Sequence, residues 1–418
     1  MPPGIGRRFG PTGERRESSG AVRSGMDDVA QRLRLAARMA HIEPFEVMEI
    51  QTLAREVEAG GHDVIHLEIG EPDFRTPAPV LEAARRALGE ERMFYTSALG
   101  LASLREAISR FYAQRYGVDV PAARIAVTAG SSAALLLAFG VLLDPGDEVL
   151  LADPGYPCNR HFVRSFGAVP RAIPVGPESR YQLTPDLARA HWGERTRMAM
   201  VATPANPTGT LVTADEIQHL AALAREKGGH LLVDEIYHGL TYGLDAPTGA
   251  AAGEDVLVVN SFSKYFQMTG WRLGWIVLPP RLVRAVETLA QNLFISPSTL
   301  SQHAALACFT PETLGIVEAR RAELDQRRRF LVPALESLGF GVPVVPEGAF
   351  YIYADVSRVT DDSFAFARRV LTEAHVAITP GKDFGRNEPQ RHVRIAYTQP
   401  VARLQEAVAR LARFLGRR

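Results

Sequence analysis

The run Ser261-Phe262-Ser263-Lys264, with Arg272 eight residues beyond the lysine in Gly270-Trp271-Arg272-Leu273-Gly274, gathers an amine, two hydroxyls and a guanidinium. It follows Val256-Leu257-Val258-Val259-Asn260, an apolar run of strand type, so the lysine is predicted on the loop where a buried strand ends. In open α/β sheets the carboxyl ends of the strands are where ligands bind. An amine held there can form a Schiff base with an aldehyde cofactor, while serine and arginine hold that cofactor's phosphate. Taken alone, the same residues also read as a surface lysine after a strand.

Other residues extend this chemistry. Gly130-Ser131-Ser132 opens an apolar helix, whose N-terminal N–H groups can bind an anion; a plain glycine turn with capping serines reads the same way. Arg272, with Ser261 and Ser263, would complete a phosphate cup through charge-assisted hydrogen bonds. Asp234, in Asp234-Glu235-Ile236-Tyr237, is expected at a buried strand end, where a carboxylate needs a partner. A protonated pyridine nitrogen suits it, as would a helix cap or an ion pair. Asn206 and Tyr237 are hydrogen-bonding groups at neighbouring strand ends, suited to a ring's phenolic oxygen, although Asn206 can equally shape the turn Pro207-Thr208-Gly209. Tyr156 is suited to stacking on a ring face or to the core. Arg394, in Val393-Arg394-Ile395, offers a planar fork matched to a carboxylate, or a solvated charge on an edge strand.

The elements that must position these residues follow from hydrophobic pattern and turn formers. Strands are predicted at 64–69, 125–128, 148–152, 198–202, 231–233 and 257–259. Helices are predicted at 27–60 with an interruption at Pro44, at 79–88, 103–116 and 130–143, and from the cap Thr213 to Lys227. Asn206, Asp234 and Lys264 thus follow three successive strands. Strands alternating with helices imply a mostly parallel, three-layer α/β/α sheet, and right-handed crossovers bring those strand ends to one edge. After about residue 310 a long charged helix, 312–338, precedes strands at 351–353 and 393–397, which reads as a smaller α+β domain.

The 418 residues are 46 % hydrophobic and 22 % charged, enough apolar content for a sizeable core. Lysine plus arginine equals aspartate plus glutamate, which argues against a nucleic-acid partner because phosphate contacts demand a basic excess. The two cysteines, Cys158 and Cys308, make neither a disulfide framework nor a metal site, so no metal is expected and a cytoplasmic setting is the simplest. The longest apolar run, 133–143, is shorter than the roughly 20 residues of a membrane span. Residues 1–25, rich in Gly, Pro, Ser and Arg, read as a disordered leader or a short basic arm. Met26-Asp27-Asp28 opens directly into a helical pattern, which makes Met26 a candidate start.

Taken together, Asn206-Pro207-Thr208-Gly209, Asp234-Glu235-Ile236-Tyr237, Ser261-Phe262-Ser263-Lys264 with Gly270-Trp271-Arg272-Leu273-Gly274, and Arg394 resemble a class I/II aminotransferase of the pyridoxal-phosphate fold type I enzymes. The resemblance runs from about residue 30 to the end. Beyond the leader read at 1–25, the expected division is an N-terminal segment at 26–70 packing with the small domain, a large cofactor domain at 71–305 and a small domain at 306–418. The resemblance implies Lys264 as the Schiff-base lysine and Arg394 as the clamp for the substrate α-carboxylate. Asp234 would pair with the pyridine nitrogen, and Asn206 and Tyr237 with the phenolic oxygen. Ser131, Ser132, Ser261 and Arg272 would hold the phosphate, and Tyr156 would lie on the ring. Gly70, in Gly70-Glu71-Pro72-Asp73-Phe74, would contact the substrate carboxylate through its backbone. Tyr95 resembles the tyrosine that reaches the phosphate of a neighbouring subunit, which implies a homodimer with shared sites.

The implied activity is ping-pong transfer of an amino group from an L-amino acid to a 2-oxo acid such as 2-oxoglutarate. Lys264 serves as general base, with its pKa brought below ~10.4 by nearby cationic charge. The same residues serve a C–S β-lyase, and the fold also occurs in cofactor-sensing regulators, though 25 leading residues are too few for a helix-turn-helix domain. With no second arginine securely placed for a distal carboxylate, a neutral or aromatic donor is expected. The apolar segment 292–297 is expected to border the pocket.

Overall fold

The computed structural model describes residues 35–90 and 93–416. The leader expected at residues 1–25 and the start at Met26 lie outside the described residues. Met1–Ile42 and Glu43–Arg418 are separate units; the first contributes a short 3-10 turn, Ala37–His41, and the second holds every strand of the fold among the described residues.

Ile65–His66 forms β1. The alternating strand and helix runs then build one seven-stranded sheet from β2 (Ile125–Thr128), β3 (Glu148–Asp153), β4 (Val169–Pro174), β5 (Thr196–Ala202), β6 (His230–Asp234), β7 (Leu257–Ser261) and β8 (Gly274–Val277). Its order is β2-β8-β7-β6-β5-β3-β4, parallel except for the two pairings of β8. The sequence pattern did not reveal β8. The chain between β7 and β8 forms a loop with a 3-10 turn at Thr269–Trp271 and no crossover helix, and β8 returns to pair antiparallel.

The central strands alternate between two cores, as a sheet covered on both faces requires. Met198, Met200, Leu232, Leu257 and Val259 pack against Leu135 and Phe139 of the helix Gly130–Leu142 and Val286 of the helix Val283–Leu293. Ala199, Val201, Leu231, Val233 and Val258 face the other way, towards Ile217, Leu220 and Ala224 of the helix Ala214–Glu226. That helix begins where expected: the Glu216 carboxylate accepts the Thr213 N–H at 2.7 Å, and Thr213 Oγ1 accepts the Glu216 N–H at 3.2 Å.

The C-terminal part adds β9 (Tyr351–Asp355), β10 (Val376–Ala377), β11 (Thr379–Pro380) and β12 (His392–Ala396). β12 lies between β11 and β9 in an antiparallel sheet, and β10 pairs in parallel with β1 across more than 300 residues. The six-residue strand expected at 64–69 is therefore a two-residue ladder, and its partner comes from the C-terminal part. The helix Glu46–Ala59 joins the same region, with the Glu46 N–H donating to Asp383 Oδ1 at 3.0 Å. The expected charged helix is present as Pro311–Ser337. A three-layer α/β/α body with a smaller α+β part is the result. No helix among the described residues is long and apolar enough to cross a membrane.

Candidate active site

Because β5, β6 and β7 are neighbours and parallel, Asn206, Asp234 and Lys264 emerge side by side at one sheet edge. All three line a cavity of about 290 Å³ together with Gly70, Ser131, Ser132, Tyr156, Tyr237, Arg272 and Arg394. Lys264 Nζ donates to the Gly70 carbonyl oxygen at 2.6 Å and lies over the rings of Tyr237 and Phe350 at 5.9 and 5.8 Å. Its amine is brought down to about 8, chiefly by burial. Glu71 opposes the shift, and Arg394 and Arg272 add to it. Neighbouring cationic charge, the cause expected from the sequence, is the smaller effect.

The Asp234 carboxylate accepts the Ile236 N–H at 3.1 Å, and burial raises it to about 6. Tyr237 shares a hydrogen bond of 3.0 Å with Tyr351, hydroxyl to hydroxyl, and burial holds it well above the usual phenol range. Asn206 Oδ1 accepts from Arg394 Nη1 at 3.0 Å. Arg394 is buried on β12, the middle strand of the small sheet, so the solvated edge position is excluded. Its Nη2 donates to the Glu68 carbonyl oxygen at 2.6 Å, and its guanidinium lies 4.3 Å from the Tyr351 ring centre and 4.9 Å from that of Phe384. The buried Nε has no hydrogen-bond partner among the described residues.

On the opposite wall the helix Gly130–Leu142 starts at Gly130, whose φ of +76° favours glycine. Close approach demands glycine too: a Cβ there would sit 2.7 Å from Arg272 Nη2. Ser131, Ser132, Ser263 and Arg272 thus line one part of the cavity at a helix N-terminus, where an anion is favoured. Ser261 is not part of this wall. Its hydroxyl donates to the Leu273 carbonyl oxygen at 3.2 Å and accepts the Ser263 N–H at 3.1 Å, which stitches β7 to the returning chain.

Two expectations fall outside the cavity of a single chain. Tyr95 is 80 % exposed and does not line it. The segment 292–297 does not line it either: Leu293 and Ile295 are exposed, and Pro297 and Thr299 bond to Gln302 and to the Phe94 carbonyl oxygen, away from the cavity wall. Tyr156 lines the cavity and packs edge-on to Phe45 at 6.2 Å; behind it lies a second cavity of about 650 Å³, lined by neither Lys264 nor Arg394.

Sequence reasoning missed Glu68, Glu71, Tyr351, Asp383 and Phe384, all of which line the site. Only Tyr351 carried a signal, an aromatic on a predicted strand, and the pattern could not say which face met the lysine. Among the described residues no group of three or more His, Cys, Asp or Glu could hold a metal ion.

Compared with known proteins, residues 62–411 match the sequence model of the family described as aminotransferase class I and II. The chain is 40 % identical over 384 residues to a valine–pyruvate aminotransferase of Mycobacterium tuberculosis, covering 91 % of this chain and 98 % of that one. It is 36 % identical over 386 residues to an aspartate/prephenate aminotransferase of Thermus thermophilus, covering 92 % and 99 %. A crystal structure of an aminotransferase from Mycobacterium tuberculosis superimposes with a TM-score of 0.88 at 39 % identity, covering 92 % of this chain and 99 % of that one.

Proposed function

The chain belongs to the class I and II aminotransferases, a family of pyridoxal 5′-phosphate enzymes, and on that premise we propose that it moves the amino group of a neutral or aromatic L-amino acid to a 2-oxo acid such as 2-oxoglutarate in ping-pong fashion. The presence of the part-buried Lys264 and the buried Arg394 on one cavity wall carries the reading.

The residues present fit the cofactor. Asp234 is a buried carboxylate whose raised pKa reflects desolvation with no cation to offset it, which a pyridinium nitrogen would supply. The glycine-lined corner beside Arg272 leaves room and donors for a phosphate. Ser131, Ser132, Ser263 and Arg272 would hold that phosphate, Asn206 and Tyr237 the phenolic oxygen, and Tyr156 one ring face. Ser261 would act through Ser263. Bound, the cofactor supplies an aldehyde that takes up the amino group and an electron sink for the substrate's Cα electrons.

The remaining work is done by side chains. Arg394 receives the α-carboxylate, supported by Asn206, and so aims the Cα–H at Lys264. Lys264 Nζ, partly neutral near pH 8, takes and returns the Cα proton as general base and acid. The apolar side chains of Val47, Leu135, Phe162 and Ile236 exclude water and favour a neutral substrate side chain. Lys264, Arg272 and Arg394 are the cations that this chain's described residues give to the wall, and each has a role, which supports a donor without a distal carboxylate. The name of the valine–pyruvate relative supports the same class of donor. Exposed Tyr95 beside Phe94, with Leu293 and Ile295, supports a homodimer in which Tyr95 completes the partner's phosphate corner. The domain boundaries read from the sequence, 71–305 and 306–418, belong to the same proposal.

The test is a single-turnover assay of the cofactor-loaded enzyme with each L-amino acid and no acceptor. Conversion of one equivalent of a neutral or aromatic donor to its 2-oxo acid, with the starting absorbance restored by 2-oxoglutarate or pyruvate, is the expected result. Continuous release of pyruvate and ammonia from a cysteine conjugate, with no need of an acceptor, would replace the reading with β-elimination.

A further inference from the structure

The geometry points to His66 as a positioning residue for the carboxylate clamp: held between two carboxylates, its imidazolium ties down Glu68, whose main chain receives Arg394. This rests on the reading of Arg394 as the site of the substrate carboxylate. His66 Nδ1 lies 2.9 Å from Glu68 Oε1, and Nε2 lies 3.0 Å from Glu58 Oε1. A carboxylate only accepts, and a neutral imidazole donates from one nitrogen, so both contacts together require a ring protonated at both. Glu58 comes from the last turn of the helix Glu46–Ala59, His66 from β1, and Glu68 from the chain just beyond it.

Glu68 is fully buried, and its Oε2 has no partner among the described residues. Removing the imidazolium would leave a buried carboxylate without the cation bonded to it, which is strongly unfavourable. Glu68 must then take up a proton, which removes its tie to position 66, or shift towards water. Its own carbonyl oxygen, however, accepts from Arg394 Nη2 at 2.6 Å and from Thr379 Oγ1 at 3.2 Å. Two residues on, the Gly70 carbonyl oxygen receives Lys264 Nζ. Movement of Glu68 therefore disturbs the clamp first and the lysine second.

The bond to Glu68 favours the charged ring most, burial opposes it, and Glu58 adds to it; together they raise His66 to about 9. Other charged or titratable groups on the surrounding elements are Arg394 on β12, Asp63 with Arg403 and Arg410 of the helix Val401–Phe414, and the stacked pair His62 and His375. With the ring's pKa raised from 6.5, the tie is complete below about 6.5 and is lost as pH rises through about 9.

The test uses the cofactor-loaded enzyme labelled with ¹⁵N-histidine, and equilibrium binding of 3-phenylpropanoate, an unreactive carboxylate. One histidine should be protonated at both nitrogens near neutral pH, titrate near 9 and vanish in His66→Gln. His66→Gln should weaken binding about tenfold, the loss of a charge-assisted bond. His66→Arg should restore most of it and remove the part of the alkaline weakening that His66 causes in wild type. A neutral His66 at neutral pH, or undiminished binding in His66→Gln, overturns the inference. Should His66→Gln fail to fold, Glu58→Gln must lower the histidine's titration point, and an unchanged point overturns it equally. Arg394→Lys separates the two readings. Wild-type binding in that variant sinks the clamp itself, whereas weak binding there with full binding in His66→Gln sinks only the role of His66.

Discussion

Lys264 Nζ donates to the Gly70 carbonyl oxygen at 2.6 Å, a contact spanning 194 residues of sequence. It joins the end of β7 to the loop beyond β1, so the amine at the strand edge is held by backbone from the region that also supports Arg394. Burial, more than the neighbouring arginines, leaves that amine partly neutral near pH 8.

Lys264→Ala should lower the turnover rate by roughly 10²–10⁴-fold or more, the usual contribution of a positioned acid–base group. Thermal stability should not fall by a comparable measure, since a desolvated amine is removed. Steady-state kinetics and a melting curve check both parts.

Arg394→Lys keeps the charge but loses the fork that meets Asn206 Oδ1 and the Glu68 carbonyl oxygen. The expected outcome is a fall in kcat/KM of about tenfold to a hundredfold for amino acids, the range for a charge-assisted hydrogen bond. The corresponding amines, which lack the carboxylate, should show no such difference between variant and wild type.

Asp234→Asn should stabilise the cofactor-free protein above pH 6. The carboxyl is raised to about 6 from 3.8, so its contribution to stability is greatest at low pH and declines as pH rises from about 4 through about 6. A two-unit shift limits the gain to roughly 3 kcal/mol. Glu235, raised to about 8 next door, is present in both proteins and largely cancels from the difference. Denaturant melts across pH check this; cofactor loading should reverse the order by favouring the wild-type carboxylate.

Gly130→Ala places a Cβ 2.7 Å from Arg272 Nη2 at a φ of +76°. A loss of about 1–2 kcal/mol is expected for an alanine in this region of backbone space, with weaker cofactor binding because Arg272 must move. Melting temperature and cofactor titration report the two effects separately.

On the proposed homodimer, Tyr95→Phe should leave the sedimentation behaviour unchanged while weakening cofactor binding by about tenfold, the loss of one hydrogen bond to a charged group. A monomer in wild type would remove the basis for this prediction.

Much of the candidate site's lining was legible because its residues sit at periodic landmarks. Asn206, Asp234 and Lys264 each close an apolar run of strand type, and parallel strands joined by crossover helices present their ends on one edge. Ser131, Ser132 and Arg272 were legible for a related reason: a glycine opening an apolar helix marks free N–H groups, and the arginine follows the lysine at short range. The residues whose surroundings the pattern did not convey differ in direction and distance. Ser261 and Ser263 have the same hydroxyl, but Ser261 ends β7 and is bonded into the returning chain, while Ser263 turns to the cavity. The apolar content of 292–297 resembles a pocket wall, yet its Leu293 and Ile295 are exposed.

The sequence by itself determined the alternation of most strands and helices, the strand ends that meet at the candidate site, and the family. These depend on local periodicity and on motifs whose members lie within a few residues of one another. Tertiary structure alone decided that Tyr351 meets Tyr237, that Gly70 receives Lys264, and that β1 stays out of the large sheet to pair with β10 and places Glu68 beneath Arg394. It also set the titration of Lys264 and His66, because desolvation and buried partners come from chain segments that meet only once both sheets are assembled.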